Sequence, residues 1–292
     1  MGDLLQFTLT GVTIGSIYAI VALGFVTIYS VTKVINLAQG EFVMLGGLTM
    51  FSLTTAGLPY WVAFFVTIFF VLILGWLMEF ILIRRAKGAD AISLIILTIG
   101  ASIFIRGIAS VVWGKDQLRV APFTGNAPVN IMGATITPQA MWVVLIMLLV
   151  VFLLYILIDK TMVGKAFQAS SVNPLAARLM GVSPIKMSSL SFTLSAALGA
   201  LAGLAVAPIM FPAYDMGAML GIKGFSAAIL GGLGSAPGAV VGGLLIGLLE
   251  SLGAGYISSG MKDAITFSAI LLILLIRPSG ILGEKSVGKG GL

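Results

Sequence analysis

An all-α polytopic membrane bundle of about eight to nine transmembrane segments, two of them short and discontinuous in character, is the fold this sequence predicts. Three observations predict it. Of the 292 residues, 59% are hydrophobic and only 9% charged, where a soluble domain carries roughly 25% charged residues. Apolar runs that approach or exceed the ~20 residues of a spanning helix recur along the chain. No stretch alternates apolar and polar residues as a membrane barrel does, and lipid admits only helices and closed barrels. Residues 1–292 then read as a single transmembrane domain.

The first span runs from about Leu4 to Ser30, with Gly11, Gly15 and Ala19 four apart as a close-packing face. The N-terminal stretch lacks the positive start of a cleaved leader, so this span is expected to be retained. Lys33, Asn36, Gln39 and Glu41 then form a polar break. The apolar run after it, about 15 residues to Ala56, is short for a crossing. A polar break before a short glycine-containing helix is how discontinuous helices look in transporters. Leu58-Pro59 turns the chain into a span from Tyr60 to Ile83, closed by Arg84, Arg85 and Lys87. The next span, Ala91 to Trp113, contains Arg106. The proline-rich loop from Gly114 to Pro138 is expected to be external and irregular, and Gln139 to Ile158 crosses again.

The longest polar interruption of the C-terminal half is Gly164 to Pro184, and it carries its own short helix. Asn173 suits the cap, Pro174 the first helical position, and Gly181 the stop. That leaves Leu175–Met180, under two turns and roughly 10 Å long. Leu175 and Leu179 share a face, with Ala176 and Arg178 beside them. The pattern fits a docking helix for a cytoplasmic protein, or a linker lying against the membrane surface.

Met187 to Ala207 is the following span, with Ser195, Gly199 and Gly203 as a small-residue stripe and Pro208 and Pro212 expected to break it. Asp215 marks a short external loop. Ile222 to Leu233 is again too short to cross alone, Gly234–Pro237 is a turn, and Ala239 to Gly253 continues apolar. Gly238 and Gly242, and likewise Gly243 and Gly247, set close-packing pairs. Ala264 to Ile276 is the last span, before a tail with Arg277, Lys285 and Lys289. The short helices after Asn36 and Lys223 both end in Leu-Gly-Gly, a weak internal likeness of the kind transporter repeats leave.

Orientation follows from the basic residues. Lys33, the Arg84–Lys87 cluster, Lys160, Lys165, Arg178, Lys186 and the tail face one way; Lys115, Arg119 and Lys262 face the other, with Lys223 at a border. The larger set belongs in the cytoplasm, which puts the N-terminus outside and the C-terminus inside.

The chemistry available is narrow. The chain has no cysteine and no histidine, which removes thiol chemistry and the commonest general base and metal ligand. No phosphate-binding loop or dinucleotide fingerprint occurs, so no cofactor and no metal are expected and an embedded enzyme fares worst. Ionisable residues within spans are functional hypotheses by default: Glu41, Glu79, Arg106 and Glu250. Glu79 also suits snorkelling toward the Arg84 boundary, and Arg106 a pairing with a carboxylate that ties two helices together. Asn36, Gln39, Glu41 and Glu250 are the candidates for a substrate pathway. In a stand-alone secondary transporter or channel for a small polar solute, Glu41 or Glu250 would carry the coupling.

Four stretches, NLAQGEF at 36–42, GKAFQASSVNPLAARLMGV at 164–182, GIKGFSAAILGGLGSAPGAVVGGLLIGLLE at 221–250 and RPSGILG at 277–283, resemble the permease subunits of branched-chain amino acid ABC importers, of the shorter, LivH-like kind. The resemblance covers nearly the whole chain. It implies a non-catalytic conduit for branched-chain or other hydrophobic amino acids, in a bacterial-type inner membrane. It also implies a second, longer permease subunit, two cytoplasmic ATP-binding subunits and an external substrate-binding protein. The Asn173–Gly181 segment would be the coupling helix that seats in the ATPase. Related permeases that move urea or short amides stand as a second alternative for the substrate. In one departure from the family, Phe167–Ser171 carries no charge; the ATPase contact would then rest on shape, small residues and Arg178.

Overall fold

The structure is a computed structural model and describes residues 2–86, 88–125, 127–131 and 133–283. Lys87, Lys285 and Lys289 of the basic clusters lie outside the described residues. The N-terminal half comprises α1 (Gly2–Thr32), α2 (Gln39–Thr55), α3 (Tyr60–Met78, continued by a π turn Glu79–Ile83) and α4 (Ala91–Val112). A hairpin of β1 (Val129–Ile131) and β2 (Ala134–Ile136) leads to α5 (Pro138–Tyr155), which ends in a second π turn, Ile156–Lys160. A connector of α6 (Met162–Val172) and α7 (Pro174–Leu179) precedes α8 (Pro184–Met210), α9 (Met216–Gly231), α10 (Ala236–Tyr256) and α11 (Lys262–Ile276). Among the described residues seven segments are long and apolar enough to cross a membrane. The protein is therefore an all-α, multi-pass membrane protein; α2 and α9 fall short of a full span.

Helix starts follow a repeated local rule. Thr137, Asn173 and Ser183 each stand before a proline and each accepts a backbone N–H of the first turn. The side-chain oxygen satisfies a donor that has no intrahelical partner, and proline occupies a position that needs no N–H. Thr161 and Ser235 cap α6 and α10 in the same way.

Four expectations are corrected. Pro208 does not break α8, which runs on to Met210. A proline in the last turn removes only one late hydrogen bond, and the stop comes instead from Phe211, at φ 52° and followed by Pro212. The second short helix starts at Met216, six residues before the expected Ile222 and inside the supposed loop. The connection between α4 and α5 is not wholly irregular, since β1 and β2 pair antiparallel through a turn at Gly133 (φ 89°). Residues 162–172, read as loop, form α6.

The bundle is built around α1, which is enclosed by α5, α8, α9 and α10. Small residues let the backbones meet. Gly15 and Ala19 of α1 lie on Gly243 and Gly247 of α10, while Gly238 and Gly242 on the neighbouring face of α10 lie on Gly231 and Ala227 of α9. On α8, Ser195, Gly199 and Gly203 face Gln39, Phe42 and Val43 of α2. Lipid provides no hydrophobic drive between helices, so such contacts hold the bundle by dispersion and close approach. A Cβ at Gly203 would fall on the Val43 carbonyl oxygen. Gly203→Val is therefore expected to unseat α2 and abolish the monodisperse peak in size-exclusion chromatography. Gly100→Val, where a Cβ meets open space, should leave that peak intact.

Candidate functional site

Two breaks in the helical path bring the polar residues together. After α1, Lys33 takes a left-handed φ of 57°, and residues through Ala38 are not helical, so α2 restarts beside the middle of the bundle. Gln39 donates from Nε2 to the Ser195 carbonyl at 3.0 Å. The Ser195 hydroxyl sits between the Gly24 carbonyl, at 2.8 Å, and Gln39 Oε1, at 2.5 Å. Gly24 lies roughly 12 Å before the end of α1, which fixes the depth at which α2 begins. Beyond α8 the chain likewise returns inward, and α9 begins with Gly217 against Gly40. The N-terminal ends of the two short helices thus meet backbone to backbone. A Cβ on Gly40 would fall on the Gly217 carbonyl oxygen.

Glu41, in the first turn of α2, is buried at this junction. A carboxylate there suits the positive end of the helix. Its Oε1 accepts from the Ser102 hydroxyl at 2.8 Å and from the Arg106 guanidinium at 3.1 Å. Its Oε2 points to Gly217, 2.7 Å from where a Cβ would stand. Asn36 is buried just before the helix, its Oδ1 accepting from the Ala38 amide at 3.1 Å. Thr98 takes the Leu37 amide at 3.2 Å. Thr98, Ser102 and Arg106 are four apart on α4 and form a polar ladder along the break.

Glu250 belongs to a second cluster. Lys223 of α9 donates to its Oε1 at 2.7 Å, the Tyr18 hydroxyl of α1 to its Oε2 at 2.8 Å, and Lys262 lies 3.3 Å away. Lys223 also pairs with Asp263 at 2.8 Å and stands 5.5 Å from the centre of the Tyr18 ring. Four helices share this neutral set of two cations and two anions. Glu79, at the end of α3, is buried and pairs with Arg84 at 2.8 Å, where the sequence suggested snorkelling toward that boundary.

The structure therefore divides the pathway candidates into two separate clusters, Asn36, Gln39 and Glu41 in one and Glu250 in the other, and buries all four within the chain. Sequence reasoning missed Lys223, counting it as a border charge. Its signal was present: a lone lysine inside a run of glycine and apolar residues, which only a buried carboxylate makes tolerable. The ladder spacing of Thr98, Ser102 and Arg106 was equally visible and unused.

The family model described as branched-chain amino acid transport system / permease component matches residues 7–276. The chain belongs to that permease family. Among its relatives, the high-affinity branched-chain amino acid transport system permease protein LivH of Salmonella typhimurium is 33% identical, over 98% of this chain and 97% of that protein. BraD of Pseudomonas aeruginosa, of the same description, is 32% identical over the same shares. The ribose import permease protein RbsC of Haemophilus influenzae is 26% identical over 93% of this chain and 84% of that one. A chain of the solved structure of PsaBC from Streptococcus pneumoniae in complex with Fab superposes with a TM-score of 0.51 at 14% identity, covering 94% and 92% of the two chains; that likeness concerns the fold.

In this permease the connector between α5 and α8 is a built surface. Asn173 Oδ1 accepts from the Leu175 and Ala176 amides at 3.0 and 3.1 Å, and Pro174 opens α7. Ala177 alone of α7 is buried. Leu175, Leu179 and Met180 are 73%, 89% and 84% exposed, and Arg178 is exposed beside them. Gly181, at φ 83°, ends the helix where a side chain would strain the backbone.

Proposed function

We propose that this permease is the membrane subunit of an ATP-driven importer of branched-chain or other hydrophobic amino acids in a bacterial-type inner membrane. The observation that carries the reading is α7. A capped, anchored helix of six residues that, with Met180 just after it, leaves three large apolar side chains exposed is unfavourable in water until a partner covers it. The partner is a cytoplasmic ATPase, present as two copies, and the contacting set is Asn173, Pro174, Leu175, Ala176, Arg178, Leu179, Met180 and Gly181. A second, longer permease subunit completes the passage, and an external binding protein delivers the substrate. ATP hydrolysis takes place in the partner, and its closure reaches the bundle as a rigid-body movement of α7.

The path of the chain supports nine passes with the N-terminus outside and the C-terminus inside. In two of them, before α2 and before α9, extended backbone covers part of the depth and a short helix the rest. Asn36, Gln39, Glu41 and Glu250 act by holding these two broken segments in place beside the passage. The stripes of Ser195, Gly199 and Gly203 and of Gly238 and Gly242 are the packed surfaces that slide or tilt. The reading of a stand-alone secondary carrier is weaker, because its coupling carboxylates, Glu41 and Glu250, are each already paired with a cation.

The test is a pull-down of the intact chain from detergent-solubilised native membranes. A cytoplasmic ATPase should co-purify and be released by Leu179→Asp. An unaltered chain that brings down no ATPase would refute the importer reading.

A further inference from the structure

Helix α3 rides on α8 along one ridge. Ala63, Thr67, Val71, Gly75 and Glu79 are four apart and all buried, and such a row packs into the groove of a neighbouring helix. The neighbour is α8, met in antiparallel order. Ala63 clusters with Leu204 and Ala207, and Val71 with Ala196 and Ala200. A Cβ on Gly75 would fall on the Ala196 side chain and the Phe192 carbonyl. One turn further on, the Ser188 hydroxyl donates to Glu79 Oε1 at 3.4 Å. The ridge ends in a change of helix type. The Arg84 amide donates to the Glu79 carbonyl, five residues back, at 2.8 Å, which makes a π turn. In an α-helix residues five apart are turned about 140° from each other. The wider turn brings the two side chains to one side, where they pair at 2.8 Å. Arg84 stays 29% exposed while the Glu79 carboxylate remains buried against α8.

Two arms of the structure meet at the start of α2, and Glu79 joins them. The first arm is α8, which follows α7 after residues 180–183 and carries Ser195, bonded to Gln39. The second is α3 with α4, which follows the π turn after residues 84–90 and carries Ser102 and Arg106, bonded to Glu41. Gln39 and Glu41 lie in the same turn of α2. A movement of α8 alone would pull on one bond of that turn while the other stayed behind. Ser188 lies roughly 6 Å from the start of α8, so the arms are joined close to the point where α7 enters.

We propose that Glu79 is a positioning residue for transport. It makes the Glu79 end of α3 follow α8, so that a movement of α7 reaches both sides of the α2 break at once. The inference rests on the reading of α7 as the coupling helix. A carboxylate suits the task. An apolar contact at this point could slide, whereas a buried carboxylate cannot leave its two donors without the cost of an unpaired charge. Bonds to an ionised group are also stronger than neutral ones.

Glu79→Gln keeps the volume and removes the charge. The test uses the assembled transporter in proteoliposomes, with leucine uptake and ATP hydrolysis measured together. The ATP hydrolysed per leucine taken up should rise about fivefold, because the ATPase still closes while α3 lags. Ser188→Ala, which spares the Glu79–Arg84 pair, should raise it about twofold. Arg85→Gln, at an exposed neighbour, should leave it unchanged. An unchanged ratio for Glu79→Gln, including one in which uptake and hydrolysis fall together, would mean a carboxylate that only supports the fold and would overturn the proposal. The chain has no cysteine, so spin labels at Arg85→Cys and Lys186→Cys, both exposed, read the joint directly. Their separation should be the same with and without ATP, and should differ between the two states once Glu79→Gln is added. A separation that changes with ATP while Glu79 is present would also overturn the proposal. Glu79→Gln should still bring down the ATPase that Leu179→Asp releases. An unaltered chain that brings down no ATPase refutes the docking reading and this one with it, whereas an unchanged ratio in a complex that keeps its ATPase refutes this one alone.

Discussion

Lys223→Met is expected to destabilise the purified permease by about 3 kcal/mol or more, and Glu250→Gln added to it should return most of that loss. Both side chains are about 95% buried, and they stand 2.7 Å apart. In an apolar interior the cost of removing two charges from water is met by their mutual attraction and by the other bonds to each. Taking one partner away leaves the cost of the other without its compensation, and that asymmetry makes the single change severe. Two neighbours limit the damage. The Tyr18 hydroxyl keeps donating to Glu250, and Lys262 remains 3.3 Å from it, though 43% of the Lys262 side chain is in solvent. In the double variant Lys262 and Asp263 remain as a partly exposed pair of opposite charge. Thermal unfolding in detergent of both single variants and the double closes a double-mutant cycle. A loss below 1 kcal/mol for Lys223→Met would mean that the cluster does not hold α9 against α1, α10 and α11.

The same cluster marks the boundary of what the sequence made legible. Local rules carried far. Span limits from Tyr60 to Ile83 and from Ala91 to the Trp113 region follow from unbroken apolar runs, and the Asn173-Pro174 start of α7 follows from the chemistry of one cap. The two short helices were also visible, because a polar break beside a run of under twenty residues needs no partner to be noticed. What stayed hidden is pairing across the bundle. Lys223 and Glu250 are 27 residues apart and Glu41 and Arg106 are 65 apart; a helical repeat tells which residues share a face but not which helix that face meets. Lys223 was misread for a further reason. Its helix begins at Met216, and a start placed six residues late turns a buried mid-helix lysine into a residue at the helix border. The strands β1 and β2, three residues each, are too short to show a period. The outcome at Pro208 depended on how close the helix end lay, a distance that composition does not report.

Leu179→Asp is expected to reduce substrate uptake at least tenfold in proteoliposomes that contain the permease with its ATPase, while insertion and thermal stability stay unchanged. The two halves of that result rest on different observations. Stability is spared because Leu179 is 89% exposed and α7 is held by other groups: the Asn173 cap, buried Ala177 and the Gly181 stop. Uptake is lost because a face that a partner covers must be dry. A carboxylate carried into such a contact without a partner costs several kcal/mol, and every 1.4 kcal/mol is a factor of ten in binding. Leu179→Met preserves volume and apolarity and should retain most uptake. Arg178→Ala should act more weakly than Leu179→Asp, since a charge at the edge of an interface contributes mainly to encounter rate. Comparing the three changes separates docking through the apolar face from docking through charge. If Arg178→Ala abolishes uptake and Leu179→Asp leaves it intact, the apolar face of α7 is not the coupling surface, and the movement must enter the bundle through the exposed side of α6 instead.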